Sequence, residues 1–318
     1  MRLCGAQAVN ESATDFNDRG SQLKQQWATK NLGVGLLNTE SPMDGLGMTS
    51  RWVAALRERE TLRPDRLFED PFAGVFAGEE GRRLCAMIES DLPSLSNNRG
   101  LGVRTRFLDD MLATAMEVGL RQVVILAAGM DARAYRLKWP DGTVIYEVER
   151  PEVLAYKETV LTGLGAVPNA DRRPVPIDLQ DDFATAIQDA GFVSTEPAAF
   201  LVEGLLVYLP DEFAAQRILR MVAGLASPSS RIGLDLVASR LLAMPFLAPV
   251  MQRMSDMGAS WRYGTDDPKS LMLQAGFSDV QVIESRRVPY ERQDLADSPL
   301  SNANLVGDTY FLVTAKRT

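Results

Sequence analysis

Acidic side chains mark a series of positions through the middle of this chain: Glu149, Asp178 and Glu203. Each closes or directly follows a segment that reads as a strand. A carboxylate there can accept hydrogen bonds from hydroxyl or amino groups, or face a cation. Taken singly, each reads more simply as a cap on the loop after its strand. Their recurrence at successive strand ends points instead to one shared site.

The turn before them constrains the ligand. "QVVILAAGMDARAYRL" is an apolar strand running into "AAGMD", residues 127–131. A dinucleotide loop uses three glycines so that backbone N–H groups approach a pyrophosphate. Only Gly129 stands here, and Asp131 falls where a phosphate would be repelled. Twenty residues after Gly129 comes Glu149, placed to accept from both hydroxyls of a ribose. That feature serves nicotinamide and adenosylmethionine enzymes alike. Asp178 is placed to accept from an adenine amino group, with Leu179 packing the ring face. Glu203 and Tyr208, from "VEGLLVYL", stand over the same cleft.

One cation joins them. In "GVRTRFLDDMLATAMEVG" the apolar stripe Val103, Phe107, Leu108, Met111, Leu112, Ala115 has helical spacing, and Arg104 lies on it. Arg106 falls with Asp109, Asp110 and Ala113 on a solvated face. An inward Arg104 must meet a ligand anion or an internal carboxylate. The chain has no histidine at all. This removes the usual general base, the commonest metal ligand and the Ser-His and Cys-His pairs. A site of acids plus one arginine suits S-adenosylmethionine, which carries a sulfonium, an ammonium and a carboxylate. Glu149 would hold its ribose, Asp178 its adenine, Glu203 its cationic portion and Arg104 its carboxylate. Methyl transfer needs alignment more than acid–base help, so the missing histidines fit. No metal is expected.

Stepping outward to the elements that carry these residues, strands alternate with helices from residue 121 onward, as in a doubly wound parallel sheet. The last two strands have no helix between them, which implies an antiparallel hairpin. The fold class is α/β: a mostly parallel seven-stranded, Rossmann-like sheet of class I methyltransferase layout. A helical cap is expected over residues 46–120, with "TSRWVAALRERE" as one helix and "EDPFAGVFAG" and "EEGRRLCAMIES" as two short ones. Residues 121–318 form the core, with a Met-rich segment at 239–264 that reads equally as a packed extra helix or a lid. Residues 1–45 are polar and read as a flexible arm.

At "RTRFLDD", "QVVILAAGMDARAYRL", "YEVERPEVLAYK", "PIDLQDDF" and "VEGLLVYLP" the chain resembles the leucine carboxyl methyltransferase family, including bacterial enzymes that methylate carboxyl or hydroxyl groups of natural products such as polyketides. The resemblance runs from about Thr49 to the C-terminus. It implies cofactor contacts at Arg104, at the Ala127–Gly129 turn, and at Glu149, Asp178, Leu179 and Glu203. Two residues depart from the family pattern. Ala127 replaces the first glycine of "GAG", where its methyl would crowd the methionine part of the ligand. Glu149 replaces an aspartate and reaches one methylene further.

A net charge of −8 and no long basic run argue against a nucleic-acid partner. Two cysteines give no disulfide framework and fit a reducing cytoplasm. No apolar stretch is long enough to span a bilayer. The expected activity is therefore S-adenosylmethionine-dependent O-methylation of a small-molecule carboxyl or hydroxyl. A carboxylate needs no base, whereas an alcohol would call on Tyr208 or a cleft acid. The alternatives are a cyclase-like or non-methylating cofactor binder, a nicotinamide oxidoreductase, and methylation of a protein's C-terminal leucine.

Overall fold

A computed structural model of the chain describes residues 43–93, 99–288 and 310–318. The arm expected at the N-terminus lies outside the described residues except for its last few. Helix α1 (Gly45–Leu62) begins earlier than Thr49 because the Asp44 carboxylate accepts the Gly47 N–H at 3.0 Å, an N-cap bond. It ends before Pro64, which holds Arg63 in extended backbone. The two short helices expected next are one element, α2 (Ala73–Asp91), kinked at Gly78, where φ is +56°. Helix α3 (Gly100–Glu117) follows.

The rest alternates as anticipated: β1 (Gln122–Leu126), α4 (Arg133–Arg136), β2 (Val144–Glu149), α5 (Pro151–Leu164), β3 (Asp171–Pro176), α6 (Phe183–Asp189) and β4 (Ala198–Val202). A single turn of tight helix, Leu206–Tyr208, leads into α7 (Glu212–Leu225) and β5 (Arg231–Val237). Then come α8 (Ser239–Leu242), α9 (Ala248–Asp256), α10 (Pro268–Gln274), β6 (Ser278–Glu284) and β7 (Tyr310–Lys316).

These strands form one seven-stranded sheet in the order β3-β2-β1-β4-β5-β7-β6. The first five are parallel, and β7 runs antiparallel to both β5 and β6. The order reverses between β1 and β4, which opens a crevice at their carboxyl ends. Both strands are buried along their whole length. Val124, Leu126, Phe200 and Val202 point into one hydrophobic core, and Val123, Ile125, Ala199 and Leu201 into the other. Because successive side chains alternate faces, a strand covered on both sides must be apolar throughout.

Not every buried position is apolar. Glu147 of β2 meets Lys157 at 2.6 Å and Arg172 at 2.8 Å, with the glutamate and lysine fully enclosed. Among the described residues no helix is long and apolar enough to cross a membrane, and no cluster of metal-ligating side chains occurs.

Candidate active site

Where β1 ends, the backbone turns through two left-handed residues, Ala127 (φ +50°) and Gly129 (φ +47°). The Gly129 N–H donates to Glu149 Oε2 at 2.8 Å, and the Arg150 N–H donates to Oε1 at 2.8 Å. The turn after β1 and the acid ending β2 are thus one hydrogen-bonded unit. A Cβ at Gly129 would come within 2.9 Å of the Ser50 Cβ, so α1 lies directly over this turn. Burial pushes the Glu149 carboxyl above its ordinary range, against the pull of these two N–H groups.

The departure at Ala127 therefore sits on the backbone itself. A left-handed residue with a Cβ carries roughly 1–2 kcal/mol of strain, while glycine would cost roughly 0.5–1 kcal/mol more chain entropy on folding. Ala127→Gly is expected to stabilise the protein by up to about 1 kcal/mol, read as a rise in the urea midpoint at constant m-value. A loss of stability would mean that packing of the methyl outweighs the strain.

Beyond β3, Asp178 accepts the Gln180 N–H at 2.8 Å, which folds the loop tightly. Arg217 of α7 holds this loop from behind, donating to the carbonyls of Leu179 at 2.9 Å and Gln180 at 2.5 Å.

Glu203, after β4, is the centre of a buried ionic network. Its Oε1 accepts from Arg104 Nε at 2.9 Å and Arg57 Nη2 at 3.3 Å, and its Oε2 from Arg133 Nη1 at 2.8 Å. Arg104 Nη1 also reaches Tyr310 at 3.1 Å and Asp235 at 3.4 Å. The Tyr310 hydroxyl donates to Asp235 Oδ2 at 2.6 Å, and the Gly204 N–H to Asp235 Oδ1 at 2.6 Å. Burial alone would raise the Glu203 pKa; the guanidiniums of Arg133, Arg104 and Arg57 outweigh it and hold the carboxyl well below its usual range.

Three sequence readings change here. Glu203, expected to face a ligand cation, has its charge met by three arginines of the chain itself. Asp131, expected to confront the ligand, turns inward to its own Arg133. Asp109, expected on the solvated face, is buried and accepts from Arg133 at 2.7 Å and Arg136 at 2.6 Å. Helix periodicity places a residue on a face, but the short α4 brings its arginines against that face from outside α3. Arg104 is buried, and Arg106 is exposed and pairs with Asp110 at 2.8 Å.

A cavity of about 1380 Å³ lies over these strand ends. Arg104, Ala127, Gly129, Glu149, Asp178, Leu179, Glu203 and Tyr208 all line it. Its roof joins α1, α2 and α9 through a small apolar cluster of its own: Leu84, Ile88, Val250 and Met254, with Trp52 packed against it. The 239–264 segment is thus both packed and cavity-lining, since Leu241, Phe246, Leu247 and Val250 face the space. Burial raises the Tyr208 phenol above its ordinary pKa, although the Thr49 and Trp261 side chains beside it pull the other way. Tyr208 is a proton-bearing donor at neutral pH, poorly suited to act as a base.

Arg57, Arg133, Asp235 and Tyr310 went unremarked in the sequence. Asp235 alone carried a signal, a carboxylate inside the apolar strand "RIGLDLVA". The others join the network only through tertiary contacts.

A doubly wound sheet closed by an antiparallel β7 between β5 and β6, with an acid-lined cavity at the switch point, is the architecture of a class I methyltransferase. The chain belongs to the leucine carboxyl methyltransferase family, whose model matches residues 50–223. It is 43% identical over 208 residues to a Mycolicibacterium smegmatis protein designated, by inference, an S-adenosyl-L-methionine-dependent methyltransferase, covering 62% of this chain and 69% of that protein. A Parafrankia protein of the same designation is 47% identical over 197 residues, covering 60% of this chain and 63% of its own length. The chain thus matches about two thirds of the length of these relatives. Among solved structures, a DUF574 family protein from Streptomyces avermitilis has a TM-score of 0.56 at 15% identity, covering 83% of this chain and 97% of that one. A Thermobifida fusca protein described as an inferred methyltransferase gives 0.57 at 16% identity, covering 85% and 94%. At this identity these two speak to the fold.

Proposed function

We propose that this chain is an S-adenosyl-L-methionine-dependent O-methyltransferase acting in a reducing cytoplasm on the carboxyl or hydroxyl group of a small molecule, such as a polyketide-like natural product. The observation that carries the reading is the union of Glu149 with the Gly129 turn at the switch point. The residues present fit the cofactor. Each Glu149 oxygen accepts one backbone N–H, and a carboxylate has about four acceptor sites, so capacity for ribose hydroxyls remains. The turn lacks the further glycines that cradle a pyrophosphate. Asp178 and Leu179 sit at the next strand end, within the same cavity. That cavity exceeds the roughly 300–1,000 Å³ of a usual ligand pocket, which leaves room for an acceptor beside the cofactor.

When bound, the cofactor supplies a methyl group that passes to a nucleophilic oxygen by in-line displacement. What the chain contributes is alignment. Arg104, steadied by Glu203, Asp235 and Tyr310, presents a fixed guanidinium to the cavity. Tyr208 presents a hydroxyl that keeps its proton.

Calorimetric titration tests the reading: S-adenosylhomocysteine is expected to bind saturably and NAD not at all, and the reverse would overturn it. Arg104→Ala is expected to raise the S-adenosylhomocysteine Kd roughly tenfold or more, from about 1.5–3 kcal/mol for a charged hydrogen bond. Arg106→Ala should leave it unchanged. Arg104→Lys keeps the charge but loses the planar fork, and should fall between the two.

A further inference from the structure

Helix α1 is held unevenly along its length. Most of its anchors are buried: Arg51 Nε donates to the Ala77 carbonyl at 3.2 Å, Arg57 Nη1 to the Met130 carbonyl at 3.2 Å, and Glu60 Oε1 accepts from Arg99 at 2.6 Å. The first turn is held differently. Asp44 caps it, and its two oxygens also take a bidentate fork from Arg150, Nη1 to Oδ2 at 2.6 Å and Nη2 to Oδ1 at 2.8 Å. This pair meets solvent, the Asp44 side chain being 54% exposed and that of Arg150 19%. The hydrogen bonds from Arg150 hold the Asp44 carboxyl below its ordinary pKa, so the pair is charged at neutral pH.

The turn so held forms part of the cavity's rim. Asp44, Leu46, Gly47 and Ser50 all line the cavity, and Asp44 and Leu46 are exposed to solvent as well. Arg150 directly follows Glu149 and donates its own N–H to it. One residue therefore steadies Glu149 through its backbone and the helix above through its side chain. The turn has little cohesion of its own, because Gly45 and Gly47 are the weakest helix formers after proline. At Gly45 the glycine is required: a Cβ there would collide with the Met257 carbonyl oxygen at the end of α9. The turn thus rests against the roof without being knitted into it.

We infer that the Asp44–Arg150 pair is a clasp: it holds the first turn of α1 down over the Glu149 end of the cavity and so sets the rate at which the cofactor and its product pass. This rests on the cofactor reading above, in which Glu149 takes the ribose. Opening requires only that one exposed pair break and one glycine-rich turn lift away from Met257. Lifting the rest of α1 would strip Arg57 and Glu60 of buried partners, which is far more costly. An exposed ion pair is weak, which suits a contact that must break in each turnover. Glu152, 3.3 Å from Arg150, stands ready to take the guanidinium when it lets go. Because the clasp joins two parts of the chain rather than chain and ligand, it resists entry and exit alike.

The test is stopped-flow binding and displacement of S-adenosylhomocysteine on the full chain. Asp44→Asn removes the charge but keeps an N-cap of equal quality for the Gly47 N–H. It should raise the association and dissociation rates together, about two- to fivefold, the range an exposed ion pair supports, with the Kd moving less than about twofold. Arg150→Gln should speed dissociation by a similar factor, and the double variant should add nothing beyond the larger single effect. Raising KCl from about 0.05 M to about 0.5 M should quicken exchange in the native protein but not in Asp44→Asn. Unchanged rates in Asp44→Asn, additive effects in the double variant, or faster dissociation alone with a matching rise in Kd would each overturn the clasp while S-adenosylhomocysteine still binds. Failure of S-adenosylhomocysteine to bind the native chain would overturn the methyltransferase reading, and this inference with it.

Discussion

Replacing Arg133 by methionine is expected to lower the unfolding free energy by about 3–5 kcal/mol, the usual cost of breaking a buried ion pair from one side. The Arg133 side chain is 1% exposed. Its Nε donates to Asp109 at 2.7 Å, its Nη1 to Glu203 at 2.8 Å and to Asp131, and its Nη2 reaches the Thr105 carbonyl at 3.5 Å. Asp109 would keep Arg136, and Glu203 would keep Arg104 and Arg57. Asp131 would lose the only side chain it pairs with among the described residues.

The pH dependence should change with it. Burial works to raise the Asp131 pKa, but Arg133 above all holds it below the ordinary aspartate value of 3.8, and Glu203 is depressed likewise. A depressed carboxylate contributes stability above its unfolded pKa and loses it as pH falls through the folded one. The native protein should thus hold this contribution until below pH 3.8, whereas Arg133→Met should lack Asp131's share at neutral pH. Urea titrations at several pH values check this, with Arg106→Ala as a surface control expected within about 0.5 kcal/mol of the native protein. A cost below about 1 kcal/mol for Arg133→Met would show that the network has little energetic weight.

Glu149→Ala should be the most damaging change to cofactor binding, raising the S-adenosylhomocysteine Kd by roughly tenfold to a hundredfold. It would remove the proposed acceptor for ribose and also the partner of the Gly129 N–H, so the turn itself loosens. Glu149→Gln separates the two roles, since it keeps the length and an oxygen but not the charge. The sign of the stability effect is opposite to that of binding. Burial raises the Glu149 carboxyl in the folded state, so its contribution favours folding when protonated and is lost as pH rises through the raised value. Glu149→Gln can satisfy only one of the two backbone N–H groups, so it should bind more weakly, and its stability should vary less with pH than the native protein's. Native affinity should decline on acidification through that raised value, and the Gln variant should show a flatter profile. A Gln variant that both binds and melts as the native protein does would remove Glu149 from the site.

The strands were legible because a doubly covered strand has no freedom to be polar, and "QVVIL" and "AAFLV" are apolar at every position except Gln122. The same logic put Arg104 inward and Arg106 outward, since both depend only on helix geometry. Asp109 shows where that logic stops. Its burial is imposed by Arg133 and Arg136, which arrive from a four-residue helix whose placement no periodicity reveals. The turn at residues 127–129 was legible as a turn closing β1, yet the left-handed φ of Ala127 was not. Alanine advertises no such preference, and the conformation is set by what packs around it.

The bond between Arg104 and Tyr310 spans 206 residues of sequence. During synthesis the chain emerges from its N-terminus, and domains begin to fold before translation ends. Helix α3 and the first five strands can assemble before β7 has emerged from the ribosome, with Asp235 already opposite Arg104 and Tyr310 not yet in place. The guanidinium acquires its last partner only when β7 slides between β5 and β6. Ligand competence should therefore appear abruptly in a nascent chain, once β7 has emerged and paired with β5.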